Sequence, residues 1–196
     1  MKKIFIGSSK EIGKKCIEWA CSNTPNQFKL VKDPNESDIF ISVLYDKILS
    51  NDFISKRLCY NFHPGILPKY RGVGIFSWVL INGEDKTGTT LHLIDKGIDT
   101  GDIIEIRDFP ITEKDTAYSL YKKGMDITFK MFKDWYVDLL KLNYTTTTQT
   151  KKYKIYTQKD LEERKNITKL VKAFCFPGKE SLYYIDGNGK KLFLDL

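Results

Sequence analysis

Histidine is scarce in this sequence. Of 196 residues only His63 and His92 carry an imidazole, and no His-x-His or His-x-x-x-His spacing exists. Cys16, Cys21, Cys59 and Cys175 include no Cys-x-x-Cys pair. The common sequence signatures of a metal site are therefore missing, and no metal is expected. Unpaired cysteines of this kind read as reduced, buried thiols rather than as a disulfide framework. No apolar run approaches the roughly 18 residues that a membrane span requires, and no signal peptide precedes the first strand. A cytoplasmic location with no membrane partner is the expectation. Glycine is thin where a dinucleotide fingerprint would need it: Gly7 and Gly13 stand alone near the first strand. A dense basic helix is also missing. The net charge of +7 and pI near 9.0 come from lysines scattered among acids, which argues against nucleic acid as the favoured partner.

What is present describes a folded α/β chain. Aromatic residues at 13% and charged residues at 29% suit a packed protein. The length allows one domain with a small appendage. We divide it into a main domain over 1–144, a linker over 145–157 built on a threonine-rich run, and an appendage over 158–196. Lys3 to Gly7 reads as a buried first strand, followed by a turn in which Ser8 or Ser9 can cap a helix. Ile12, Cys16, Trp19 and Ala20 recur on the core face of that helix. Phe28 to Val31 is a short second strand. Asp38 to Leu44 is nearly all apolar, as buried parallel strands are. Asp52 to Arg57 is a short helix. Another runs from Ile75 to a stop at Asn82-Gly83. Thr89 to Ile94 and Ile103 to Ile106 read as strands, and Thr116 to Leu142 as a long amphipathic helix whose aromatic stripe is core. Beyond the linker come a helix from about Asp160 to Cys175 and a hairpin, Leu182 to Ile185 and Lys191 to Leu194 around Asp186-Gly187-Asn188-Gly189. A lone hairpin is marginal, so it should pack on its own domain or on a second subunit as a homodimer contact. The fold class is a Rossmann-like, mostly parallel sheet with flanking helices, plus this C-terminal helix and hairpin.

The chemistry concentrates between Asn61 and Asp102. Asn61 and His63, two apart at the end of the Leu58-Cys59-Tyr60 run, share a face if that run is a strand. Pro64, Gly65, Pro68 and Gly72 stop regular structure and stiffen the loop behind them. Asp99, expected at a second strand end beside Thr100-Gly101, can orient the imidazole and favour its charged form. Amide, imidazolium and carboxylate together suit acyl transfer, in which charge builds on a carbonyl oxygen and protons move. A histidine beside proline is also often a plain turn residue. His92, in a strand pattern, reads as a hydrogen-bonded wall residue rather than a second base.

Asn61-x-His63-Pro64, Leu67-Pro68-x-Tyr70-Arg71-Gly72 and Ile98-Asp99-x-Gly101 closely resemble the folate-dependent formyltransferases, over roughly residues 38 to 142. The resemblance implies catalytic roles for Asn61, His63 and Asp99. It implies N10-formyltetrahydrofolate as formyl donor, with Lys47, Ile48 and Leu49 after one strand and Ile94, Asp95 and Lys96 after another lining its pterin. Thr90-x-His92-x-Ile94-Asp95 and Phe176-Pro177-Gly178 look most like the nucleotide-sugar members. The acceptor expected is therefore the amine of a nucleotide-linked amino sugar, a dTDP-4-amino-4,6-dideoxyhexose, with Ser9, Lys10 and Arg71 as its contacts. Glycinamide ribonucleotide, methionyl-tRNA and a non-catalytic folate- or RNA-binding module are the rival readings. Gly65 departs from the family's usual serine, which leaves the three polar residues intact and loosens the loop.

Overall fold

A computed structural model describes residues 1–157, 159–160, 183–185 and 191–193. The chain opens with β1 (Lys2–Gly7), α1 (Glu11–Asn23), β2 (Phe28–Leu30) and β3 (Ile39–Val43). Then come α2 (Asn51–Ser55), β4 (Leu58–His63), β5 (Arg71–Gly72) and α3 (Ile75–Asn82). β6 (Lys86–Leu93), β7 (Ile103–Pro110), α4 (Ala117–Lys141) and β8 (Ile155–Tyr156) complete the main body. One sheet runs in the order β2-β1-β3-β4-β6-β7. Its first four strands are parallel, and β6 and β7 extend it antiparallel, with a bulge between Leu91 and His92.

All of β3 is buried, as its continuous apolar run requires between two neighbours with both faces covered. Ile39, Ile41 and Val43 join the core beneath α1 and α4. Phe40 turns to the other face, against the rings of Phe5, Tyr45 and Phe53. The same alternation governs β4. The Tyr60 hydroxyl donates to the Leu139 carbonyl at 2.9 Å, and the Phe62 and Phe132 rings lie 5.6 Å apart, so both side chains face α4. Asn61 and His63 must then point to the opposite face.

Helix ends follow local chemistry. Thr116 and Ser119 form a reciprocal capping box at α4, and Gly83, at φ 70°, closes α3. The expected serine cap of α1 is not formed. Lys10 holds the N-cap position, and the Ser8 hydroxyl accepts from its N–H at 3.1 Å instead. β7 runs four residues beyond the expected Ile106, because alternation continues through Arg107 to Pro110. Cys16 and Cys59 are buried, and burial pushes their thiols up to about 12 and about 11. Cys21 is exposed, contrary to the expectation of four buried thiols.

The threonine-rich run, expected as a linker, is laid against the sheet rim. Thr147 and Ile103 exchange backbone hydrogen bonds at 2.8 and 2.9 Å, and β8 pairs with β5. The two hairpin strands are present as β9 (Tyr183–Ile185) and β10 (Lys191–Phe193), antiparallel to each other. The helix expected over 160–175 and the Phe176-Pro177-Gly178 turn lie outside the described residues, apart from the helical start at Asp160. No helix among the described residues is long and apolar enough to cross a membrane.

Candidate active site

Asn61 and His63 project from β4 on the face turned away from α4. Asp99 reaches them from the loop between β6 and β7, not from a strand end as expected, and its backbone is left-handed at φ 52°. That conformation is unfavourable for a residue with a Cβ and persists only where the surroundings hold it. The Gly72 N–H donates to Asp99 Oδ2 at 2.8 Å. The Asp99 carboxylate then lies 3.5 Å from His63 Nδ1, 3.4 Å from Asn61 Nδ2 and 3.7 Å from His92 Nε2. The three expected residues come together, and His92 joins them as a fourth.

The tautomers follow from the partners. His63 Nε2 lies 2.6 Å from the Tyr70 carbonyl, which can only accept, so Nε2 carries a proton. Nδ1 is the nitrogen left to face Asp99 and any substrate. His92 Nδ1 likewise donates to the Leu93 carbonyl at 2.6 Å. Its Nε2 is then a lone pair, and Asn61 Nδ2 donates into it at 3.1 Å. Burial drives the His92 pKa down to about 4; Asp99 pulls it up, and His63 adds to the fall. A neutral His92 fixes the Asn61 amide with its nitrogen inward. The second N–H of that amide meets Asp99 only at 3.4 Å, so a stronger acceptor can take it over. At Asp99 burial opposes ionisation. His63, His92, the Gly72 N–H and Arg71 outweigh it and hold the carboxyl below its usual range.

The loop behind His63 is fastened, not loose. The Thr90 hydroxyl donates to the Gly65 carbonyl at 2.6 Å and accepts from the Leu67 N–H at 3.2 Å. A Cβ at Gly65 would stand 2.8 Å from both His63 Nε2 and the Tyr70 carbonyl oxygen. Gly65 therefore bears directly on where the His63 ring sits, which corrects the expectation that it leaves the three residues untouched.

The remaining candidates divide. Arg71, expected at the acceptor, is buried; its Nε donates to the Ile98 carbonyl at 2.9 Å and Nη1 to the Tyr153 carbonyl at 3.3 Å. It braces the Asp99 loop. Ser9 accepts from the Asp46 N–H at 3.3 Å, which ties it and the exposed Lys10 to the loop after β3. Lys47, Ile48 and Leu49 lie in that loop, with Ile48 88% exposed. Ile94 follows β6 and donates its N–H to the Cys59 carbonyl at 2.8 Å, while Lys96 is exposed. Asp95 accepts from the Gly97 N–H at 3.0 Å and the Thr100 hydroxyl at 2.6 Å, shaping the segment that carries Asp99. Among the described residues no group of three or more His, Cys, Asp or Glu is placed to hold a metal ion.

A protein-family model described as formyl transferase matches residues 14–135, more than half of the chain. The chain belongs to the formyl transferase family. The matched span contains Asn61, His63, His92 and Asp99 and stops before Gln149. The bifunctional polymyxin resistance protein ArnA of Wigglesworthia glossinidia brevipalpis is 52% identical over 88 residues, covering 44% of this chain and 14% of that protein. The methionyl-tRNA formyltransferase of Caldanaerobacter subterraneus subsp. tengcongensis is 39% identical over 103 residues, 52% of this chain and 33% of that protein. The chain thus spans a third or less of the length of these two relatives. WlaRD, a sugar 3N-formyl transferase solved in the presence of dTDP and 5-N-formyl-THF, is 27% identical. It has a TM-score of 0.76 over 90% of this chain and 80% of that one.

Proposed function

We propose that this chain transfers a formyl group from N10-formyltetrahydrofolate to the amine of a nucleotide-linked amino sugar, a dTDP-4-amino-4,6-dideoxyhexose. The observation that carries the reading is the convergence on one point of a replaceable Asn61 N–H, His63 Nδ1 and the Asp99 carboxylate. As the amine attacks the formyl carbon, Asn61 donates to the formyl oxygen, and a protonated His63 Nδ1 donates beside it. Asp99 orients the ring and accepts, through water, the proton that leaves the attacking nitrogen. As the tetrahedral intermediate collapses, the bond from the formyl carbon to N10 breaks and that proton passes to N10, releasing tetrahydrofolate. The exposed Ile48 on the loop after β3 offers an apolar surface that suits a flat pterin ring, with Lys47, Leu49, Ile94, Asp95 and Lys96 as the other donor contacts. Ser9 and Lys10 sit beside that loop, where they suit an anionic end of either substrate. A cytoplasmic enzyme that dimerises through its C-terminal segment and serves polysaccharide synthesis is part of the same reading.

The test mixes the chain and formyl donor with amino-sugar nucleotides, glycinamide ribonucleotide and methionyl-tRNA, and follows the mass of each acceptor. A gain of one formyl group on an amino-sugar nucleotide is expected. Asn61→Ala should lower kcat by roughly 10²–10³, the usual loss for one oxyanion donor. His63→Ala and Asp99→Ala should be nearly inactive while remaining folded. Near-wild-type turnover in any of the three removes that residue from the mechanism. The likeness to methionyl-tRNA formyltransferases keeps a second acceptor in view. Formylation of methionyl-tRNA alone, with affinity that falls steeply as salt rises, would transfer the reading to RNA.

A further inference from the structure

Residues 145–148 and 150–152 are all exposed, and within that run Gln149 alone turns inward. Its Nε2 donates to the Asp99 carbonyl at 3.1 Å and to the Gly101 carbonyl at 2.6 Å. Both partners are acceptors, so the amide can face only one way. Its Oε1 is buried and has no hydrogen-bond partner among the described residues. A buried amide that leaves its own oxygen unsatisfied in order to hold two carbonyls is an expensive arrangement unless those carbonyls need holding. The carbonyl at residue 99 belongs to the left-handed Asp99, and Gly101 is the point where the loop crosses within contact of the Leu93 carbonyl. The neighbouring Thr147–Ile103 bridge pins the chain two residues earlier and sets Gln149 at the loop.

We propose that Gln149 is a positioning residue for Asp99: its side-chain amide locks the backbone of residues 99–101 so that the carboxylate meets Gly72, His63 and Asn61 together. The inference rests on the catalytic reading of Asp99 given above. It makes the threonine-rich run, which lies beyond the family match, a working part of the site. A carboxylate displaced by about 1 Å can lose on the order of 10² in rate while substrates still bind.

Three substitutions in the full-length chain separate donation from shape. Gln149→Glu keeps the size but cannot donate to either carbonyl; Gln149→Leu removes the polar group; Gln149→Lys retains a donor. Gln149→Glu and Gln149→Leu should lower kcat by roughly 10- to 100-fold with KM for both substrates changed by less than about threefold. Gln149→Lys should recover much of the loss. The ring spectra of the two histidines give a readout independent of turnover, because His63 and His92 are the only imidazoles to assign. In Gln149→Leu the His63 nitrogen signals should shift as Asp99 moves away, and Gln149→Lys should restore them. Unchanged kcat and unchanged His63 signals in Gln149→Glu and Gln149→Leu would overturn the proposal. So would equal loss in all three variants, which marks a purely structural side chain. If the wild-type chain formylates no acceptor, the formyl-transfer reading fails, and the His63 spectra still decide whether Gln149 positions Asp99.

Discussion

A neutral ring at His92 settles which way the Asn61 amide faces, since only its Nε2 lone pair calls for the nitrogen on that side. His92→Leu removes the acceptor and lets the amide turn its oxygen toward the substrate; kcat should fall by roughly 10². His92→Gln can offer an oxygen where Nε2 now lies and should retain more activity, as steady-state kinetics on the two variants will show. The same ring makes stability depend on pH. An unfolded imidazole protonates near pH 6.5, whereas the folded one resists until about 4. Between those values the unfolded chain binds the extra proton, so stability falls as pH is lowered through the window, by on the order of 3 kcal/mol. Asp99, whose folded pKa is lowered, adds its own loss only beneath its ordinary 3.8. Urea unfolding at pH 6.5 and pH 4.5 should show a smaller drop for His92→Gln than for wild type. That Asn61, His63 and Asp99 come together was legible in the sequence because motif order and residue chemistry coincide there. His92 was legible only as a wall residue: a histidine inside an alternating strand does not reveal that its bond to the Leu93 carbonyl leaves a lone pair for Asn61.

Among the elements, the long ones announce themselves and the short ones do not. β3, β4 and α4 carry continuous or periodic apolar patterns that dictate their burial. The expected bounds of β3 and α4 fall within one residue of the observed ones, and β4 runs on from the expected Leu58-Cys59-Tyr60 to His63. β5 and β8 are two residues each, too short to hold a pattern, yet they brace the site. Their pairing depends on Gly72. At φ 98°, with the Tyr156 carbonyl oxygen 2.2 Å from where a Cβ would stand, no other residue fits without moving β8. The Gly72 N–H also holds Asp99 Oδ2, so displacement of β8 carries the carboxylate with it. Gly72→Ala should therefore lower both the melting temperature and kcat, by several degrees and at least roughly tenfold. A variant that melts lower but turns over normally would separate the strand pairing from the site. Arg71 shows the matching limit of motif reading. A family pattern marks the position, but only packing reveals that the guanidinium ties Ile98 to Tyr153.

At the scale of the molecule the site lies between a rigid body and a lighter cover. The body is the central sheet, with Tyr60, Phe62, Phe132 and Tyr136 buried between β4 and α4. The cover is the run from residue 145 to 157, fixed among the described residues by the Thr147–Ile103 bridge, the Gln149 amide, the Arg71 and Asn82 bonds to Tyr153 and Tyr156, two residue pairs in β5–β8 and the Tyr156 ring against Tyr70 and Trp78. Residues 145–148 and 150–154 of the cover are exposed while every residue of β3 is buried, so the cover is expected to open at a lower free energy than β3 does. Hydrogen exchange tests this directly. The Val73 N–H, bonded to the Tyr156 carbonyl at 3.0 Å, should exchange faster than the amides of β3 by at least roughly 10²-fold. Because the cover orders Asp99 through Gln149 and Gly72, substrates that engage an ordered Asp99 should slow exchange at Val73 while leaving the β3 amides unchanged. Val73 exchanging in step with β3, with or without substrates, would mean that cover and sheet unfold as one unit and that binding has nothing left to tighten.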